Sequence, residues 1–498
     1  MTRPENIPPK RWQVAPLIPP HLQQQFSHHH QTLLQILYNR GISTAPQIQA
    51  FIEGHYLQPD DPFLLPDMDK AVERIIQACE NHEQIVIYGD FDADGVTSTV
   101  LLVEALRAIE GFERGQVRPY IPDRVDEGYG LNFDALTKIK EEFGGDLVIT
   151  VDCGIRSVAE VEHANAIGLE MIITDHHSIG PRVPPALAVI NPKRADSPYP
   201  ERMLAGVGIA YKLAQAIHAK CPSTAGFELS SLLDLVAVGT IADIAPLLGE
   251  NRKLVTEGLT VVNRLQRPGI SALAQVTGVK AGHIKAESIG FTLGPRINAA
   301  GRLDHAYTAA KLLATNNLLQ ARAWADDLND LNRRRQHLTS ELTERAEALI
   351  GDVESAHLLI AVDEEFVSGV VGLVASRLKE NYYRPSIVLE KGAEESHGSC
   401  RSIPEFHITH ALDQVADLLE RYGGHAQAAG LTIRNENIPE FIARMSAIAA
   451  EQLQDEDLFP TITIDAELEL SDIDWALQEN LEQLEPTGAA NATPIFLT

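Results

Sequence analysis

Apolar and polar positions divide this chain into stretches of different period. Between about residues 70 and 195, short apolar runs alternate with helix-length stretches. Ile85, Val86 and Ile87 open the series as a buried strand, which ends at Gly89 and gives way to a helical run over Val96 to Ala108. Val117 to Ile121, Leu147 to Val151, Met171 to Thr174 and Ala186 to Ile190 repeat the short apolar run, with helical stretches from Asn132 and after Gly154. Continuous apolar strands separated by helices predict an α/β fold whose parallel sheet is covered on both faces.

The polar residues fall just after these strands. Asp90, Asp92 and Asp94 follow the first, and Pro122-Asp123-Arg124, Asp152-Cys153-Gly154, Asp175-His176-His177 and Asn191-Pro192 follow the others. That is the carboxyl-end rim, where open α/β sheets bind ligands. Asp92 and Asp94 sit two apart, so in an extended segment their side chains leave on one side and can grip one cation; a solvated acidic turn is the other reading of this segment taken alone. Residues distant in sequence converge on such a rim, so Asp92, Asp94, Asp152 and His176 are expected in one cluster. Asp243 lies between apolar neighbours after the helix-like run Leu232 to Thr240. A buried aspartate needs a partner, which makes it either a fifth ligand or the cap of a local turn.

Farther on, Gly294 to Arg302 reads as a glycine-bounded loop whose Arg296 and Arg302 suit phosphate oxygens, or else surface salt bridges. Ala306 to Ile350 contains neither glycine nor proline and predicts one long helix joining two bodies, with Arg333-Arg334-Arg335 as a solvated face. A second α/β pattern follows: a strand from Leu358, a helix over Val370 to Lys379, a strand over Ser386 to Leu389, and a helix around Ala411 to Leu419. Within it, Ser399, Arg401 and the glycine-flanked His425 suit an anion pocket. From Thr461, TITIDAELEL alternates like an exposed strand, and too little chain follows to close a further β domain. The first 55 residues are punctuated by proline and carry a His28-His29-His30 run, read as a solvated helix surface with no chemistry assigned.

Length and composition narrow the class. A chain of 498 residues is expected to form about three domains, and 44% hydrophobic with 22% charged residues is the balance of a globular protein. The formal net charge of −28 argues against a non-specific polyanion binder, while allowing a local basic groove and acids gathered around metals. Cys79, Cys153, Cys221 and Cys400 have no paired spacing, so neither a disulfide framework nor a zinc cage is expected, and a reducing cytoplasm fits. No signal peptide and no apolar run of ~18 residues is found.

The motifs GDFDADG at 89–95, VDCG at 151–154, TDHH at 174–177 and GTIADIAPL at 239–247 resemble those of the DHH phosphoesterase superfamily. GPRINAAGRL at 294–303, GSCRSIPEF at 398–406 and GGHAQAAGL at 423–431 resemble its RecJ branch, the single-strand-specific 5′ exonucleases. The resemblance covers about residues 60 to 435. It implies an N-terminal extension (1–55), a DHH catalytic domain (56–305), a linking helix (306–350), a smaller α/β DHHA1 domain (351–455) with the active site in the cleft between the two, and the start of an OB-like β segment (456–498). Phe366-Val367-Ser368-Gly369 departs from the tryptophan and histidine common in the family before that glycine.

Carried over position by position, the resemblance implies two divalent cations, Mn2+ or Mg2+, on Asp92, Asp94, Asp152, His176 and Asp243, with Asp152 bridging and Asp90 in support. It gives His177 the non-bridging oxygen or the leaving group, Arg302 the scissile phosphate with Arg296 nearby, and Ser399, Arg401 and Arg124 the terminal 5′-phosphate, with His425 lining the same cleft. The implied activity is release of nucleoside 5′-monophosphates from single-stranded DNA in repair and recombination, by a cytoplasmic monomer partnered by single-strand-binding protein or a helicase. The alternative within the superfamily is a phosphodiesterase for short oligonucleotides or cyclic dinucleotides. An inactive scaffold would lack ligands, and none of the five is missing.

Overall fold

A computed structural model describes residues 10–113, 115–122, 130–303 and 305–498, apart from the side chains at 456 and 457. It divides into two compact units, one of Pro16–Asn332 with Asp465–Thr498, the other of Arg333–Ile464 with the N-terminal strand β1 (Arg11–Val14).

The first unit is built on five parallel strands, β2 (Ile85–Gly89), β3 (Val117–Tyr120), β4 (Leu147–Val151), β5 (Glu170–Thr174) and β6 (Ala188–Ile190), in the order β3-β2-β4-β5-β6. Their near-continuous apolar sequence follows from burial on both faces. Ile85, Ile87, Leu147 and Ile149 enter the core with helices Ala93–Arg107 and Gly206–His218, whereas Val86, Tyr88 and Val148 face helices Phe133–Glu141 and Val158–Ala166. After β2 the chain moves first to one side of the sheet and then, at β4, to the other. The carboxyl ends of β2 and β4 therefore form the topological switch point, where a crevice opens.

The second unit carries β7 (Leu359–Asp363), β8 (Ser386–Lys391), β9 (Glu395–Arg401), β10 (Leu419–His425) and β11 (Ala428–Arg434) in the order β10-β11-β9-β8-β7. Within this sheet only β7 and β8 pair in parallel.

Several local expectations change. The helix expected around Ala411 to Leu419 ends at Asp413 and gives way to a strand from Leu419, and the His28-His29-His30 run lies between two helices. The long helix runs Leu318–Ile350 and is preceded by a separate helix, Tyr307–Ala314. The break comes at Asn317, whose Oδ1 accepts from the Leu319 and Gln320 N–H at 3.0 and 3.2 Å, so an asparagine cap starts the helix anew without glycine or proline. The arginine-bearing stretch is a helix, Gly294–Leu303, rather than a loop. The alternating run makes a strand only over β12 (Thr461–Ile464), and its partner is β1, in parallel. Beyond it, β13 (Ala466–Glu467) and β14 (Phe496–Leu497) pair with each other, and Leu484 packs among Leu33, Leu37 and Phe51 of the N-terminal helices. Among the described residues no helix is long and apolar enough to cross a membrane.

Candidate metal centre

The loop after β2 is organised by its own carboxylates. Asp92 is the N-cap of helix Ala93–Arg107, its Oδ1 accepting from the Asp94 and Gly95 N–H at 2.9 and 3.0 Å. Asp94 lies in the first helical turn, so the two acids are gathered by a helix start and not by an extended segment. The Asp94 carboxylate is buried and accepts from two amides at the start of helix Gly206–His218, Gly206 N at 2.7 Å and Val207 N at 2.8 Å. Glycine is required at two close approaches. A Cβ on Gly95 would stand 2.5 Å from the Asp90 carbonyl oxygen, and one on Gly301 would stand 2.5 Å from that of Phe91. The latter contact seats helix Gly294–Leu303 against the acidic loop, where Asn298 Oδ1 also accepts from Ala93 N at 2.7 Å.

Asp152, just past β4, has φ 61°, a left-handed conformation that costs a non-glycine residue about 1–3 kcal/mol. Its surroundings fix it. Asp152 N donates to Thr174 O at 3.1 Å, and the Thr150 hydroxyl donates to Cys153 O at 2.8 Å across the turn. Cys153 points away from the acids into the apolar cluster on the other face of the sheet.

The two histidines complete the cluster. His176 Nε2 is 3.1 Å from Asp152 Oδ1, and its Nδ1 is 3.8 Å from Asp243 Oδ2. Asp243 caps the carboxyl end of helix Leu233–Ala242. His177 Nδ1 is hydrogen-bonded to Asp175 Oδ1 at 2.7 Å and lies 3.9 Å from Asp152 Oδ1. Asp175 is itself buried, accepting also from the His177 and Ile155 amides.

These side chains form three groups whose candidate ligand atoms all lie within 4.8 Å of one another: Asp90, Asp92 and Asp152; Asp152, His176 and His177; and Asp94, His176 and Asp243. Asp152 and His176 each belong to two. The electrostatics fit a cation. Burial, then the Asp243 and Asp92 charges, push the Asp94 carboxyl well up, and burial with Asp94, Asp92 and Asp90 does the same to Asp152. Burial, then Asp92, raise Asp90 to about 8 and Asp243 to about 7. Burial, then His177, hold His176 down at about 4, so it is neutral and able to ligate. Asp152 Oδ1 and His176 Nε2 are buried without a hydrogen-bond partner. Orphaned polar atoms of this kind are costly unless an ion completes them.

The remaining expected residues fall in two places. Arg296 donates to Asn329 Oδ1 at 3.0 Å and Thr292 O at 2.6 Å, while half-buried Arg302 follows Gly301 at the acidic loop. In the second unit, Arg401 Nη1 donates to Ser399 Oγ at 2.9 Å on β9. Gly372, in helix Ser368–Tyr382, leaves them room, since a Cβ there would stand 3.0 Å from Arg401 Nη2. His425 aligns with Arg401 through Ala428, and Gly430 and Gly423 continue the Ser399 row as a shelf without side chains. Arg124 lies outside the described residues. Sequence reasoning missed Asp175, Asn298 and the Gly206 and Val207 amides; an acid directly before two histidines, and an asparagine between the two arginines, were the available signals.

A parallel sheet with acids and imidazoles converging at its switch point defines a DHH-type domain. The family described as DHH family, N-terminal domain, matches residues 84–240, and the DHHA1 domain matches residues 355–451. The chain is 39% identical over 467 residues to the single-stranded-DNA-specific exonuclease RecJ of Bacillus subtilis (93% of this chain, 58% of that protein). It is 37% identical over 484 residues to that of Dickeya dadantii (93% of this chain, 83% of that protein). A solved structure of RecJ in complex with Mn2+ from Thermus thermophilus superposes with a TM-score of 0.83 at 32% identity, covering 98% of this chain and 69% of that one. The chain belongs to the RecJ family. It spans little more than half the length of the Bacillus subtilis relative.

Proposed function

We propose that this chain is a metal-dependent exonuclease that hydrolyses single-stranded DNA from the 5′ end to nucleoside 5′-monophosphates, in DNA repair and recombination. The observation that carries the reading is the buried pair of Asp152 Oδ1 and His176 Nε2, unpartnered where the three ligand groups meet. Asp92, Asp94, Asp152, His176 and Asp243 would hold two divalent cations, Asp152 belonging to two of the ligand groups and Asp90 lying close enough to Asp92 and Asp152 to assist. Carboxylate-rich sites of this kind select Mn2+ or Mg2+. When bound, such a pair makes hydroxide available near neutral pH and balances charge on phosphoryl oxygens.

The protein's own groups do the rest. Burial works against a charged His177, but the hydrogen bond and charge of Asp175 outweigh it and raise the imidazole to about 9. The ring is therefore an imidazolium at neutral pH, oriented through Nδ1, with Nε2 free to donate a proton to the leaving oxygen. Arg302, with Arg296 nearby, holds the scissile phosphate. Ser399 and Arg401, with Arg124 and His425, take the 5′-phosphate and set the polarity of digestion.

With a net charge of −28, the chain has little general attraction for DNA. A single-strand-binding protein or a helicase in the cytoplasm therefore delivers the strand to the monomer. The test is digestion of 5′-labelled single-stranded and duplex DNA by the purified chain with Mn2+ or Mg2+. Mononucleotides released from the single strand support the reading, whereas cleavage confined to dinucleotides or cyclic dinucleotides contradicts it.

A further inference from the structure

Phe291 is 82% exposed, although phenylalanine is ordinarily taken out of water. It sits in a π-type turn, Ile289–Leu293, a geometry that recurs at functional sites. Its neighbours Ile289 and Leu293 are buried, so the turn is anchored on either side of the one ring that it presents to solvent. The anchoring surface belongs to the metal centre. A Cβ on Gly290 would meet Ile241 Cγ2 at 3.6 Å, and one on Gly294 would meet Ala242 Cβ at 3.3 Å, so the turn lies along the two residues that precede Asp243. Ile244, directly after Asp243, is 75% exposed and has φ 61°, a left-handed conformation that a β-branched residue adopts only under constraint. The helix that continues from the turn reaches the acidic loop at Asn298 and Gly301, and Arg302 follows directly.

We infer that Phe291 is a stacking platform for an unpaired base of the DNA strand whose phosphodiester lies at the metal centre. The inference rests on the exonuclease reading and assigns that site a base contact. A strand held at Arg302 and the acidic cluster runs along the edge where Phe291 stands, and every base offers a π-face to an aromatic ring whatever its sequence. Stacking also supplies affinity that does not depend on charge, which suits a chain of net charge −28. A base paired in a duplex has both faces covered, so this platform favours single strands.

The experiment compares wild type, Phe291→Ala and Phe291→Trp on an oligothymidine and on a strand of equal length made abasic. Mn2+-induced rise in melting temperature serves as the check on the metal centre. Phe291→Ala should raise KM on oligothymidine roughly 5- to 100-fold, the loss of one base–aromatic stack. Phe291→Trp should preserve KM, the melting-temperature rise should be the same in all three proteins, and wild type and Phe291→Ala should converge on the abasic strand. Wild-type KM in Phe291→Ala, or an equal loss on the abasic strand, overturns the stacking role alone. A wild-type chain that digests no single strand overturns the exonuclease reading and this inference with it.

Discussion

His176 Nε2 faces Asp152 Oδ1 at 3.1 Å, both atoms buried and neither given a hydrogen bond by the protein around them. One residue follows β5 and the other follows β4, adjacent strands whose register places Thr174 beside Val151. The sheet thus delivers an acceptor and a neutral imidazole to one point, where an ion would complete both.

Metal binding should therefore stabilise the fold. Mn2+ at 100 times its dissociation constant should add about 2.7 kcal/mol and raise the melting temperature by a few degrees. Asp152→Asn should lose most of that rise while melting no lower than wild type in chelator, because the substitution also removes a buried like charge. A thermal melt of both proteins with and without Mn2+ checks this.

Asp175→Asn should leave metal binding intact but slow turnover about 10²- to 10⁴-fold, since the neutral amide keeps an acceptor beside His177 but removes the charge that keeps the imidazole protonated and adds a donor that can turn the ring. Single-turnover rates beside Mn2+ titrations separate the two effects. Weakened Mn2+ binding equal to the loss in rate would contradict the assignment.

Arg401→Ala should reduce the preference for a 5′-phosphorylated end, whereas Asp152→Ala should abolish turnover on every substrate. The comparison is of rates on matched strands with 5′-phosphate and 5′-hydroxyl ends. Equal loss on both ends in Arg401→Ala would refute the division of roles.

Arg252 provides a stability test away from the chemistry. Its buried guanidinium donates to Phe51 O at 3.0 Å and to the Gln483, Leu484, Glu485 and Pro486 carbonyls, clasping the C-terminal segment to the N-terminal helices. Arg252→Met should cost about 2–4 kcal/mol, because the buried carbonyls lose their donor. Denaturant unfolding measures it, and limited proteolysis should open first near residue 483.

Much of this architecture was legible in the sequence because its causes are local. The apolar runs at Ile85 and Leu147 are continuous since both faces of the sheet are covered, and the polar residues beyond them mark the strand ends. Asp92 and Asp94 were found by spacing, although a helix start gathers them and not an extended segment. The helix over Gly294–Leu303 was hidden by two glycines that serve close packing, Gly294 on Ala242 and Gly301 on Phe91, and the restart at Asn317 by a side-chain cap in a stretch free of breakers. The pairing of Thr461–Ile464 with Arg11–Val14 joins chain ends that no local period can connect.

Calorimetric titration of the metal-free chain with Mn2+, followed by location of the ions by anomalous scattering, tests the central claim most directly. Two ions should bind per chain, both touching Asp152, with Asp94, His176 and Asp243 on one side and Asp92 on the other. A single ion, or ions seated away from Asp152, would contradict the account.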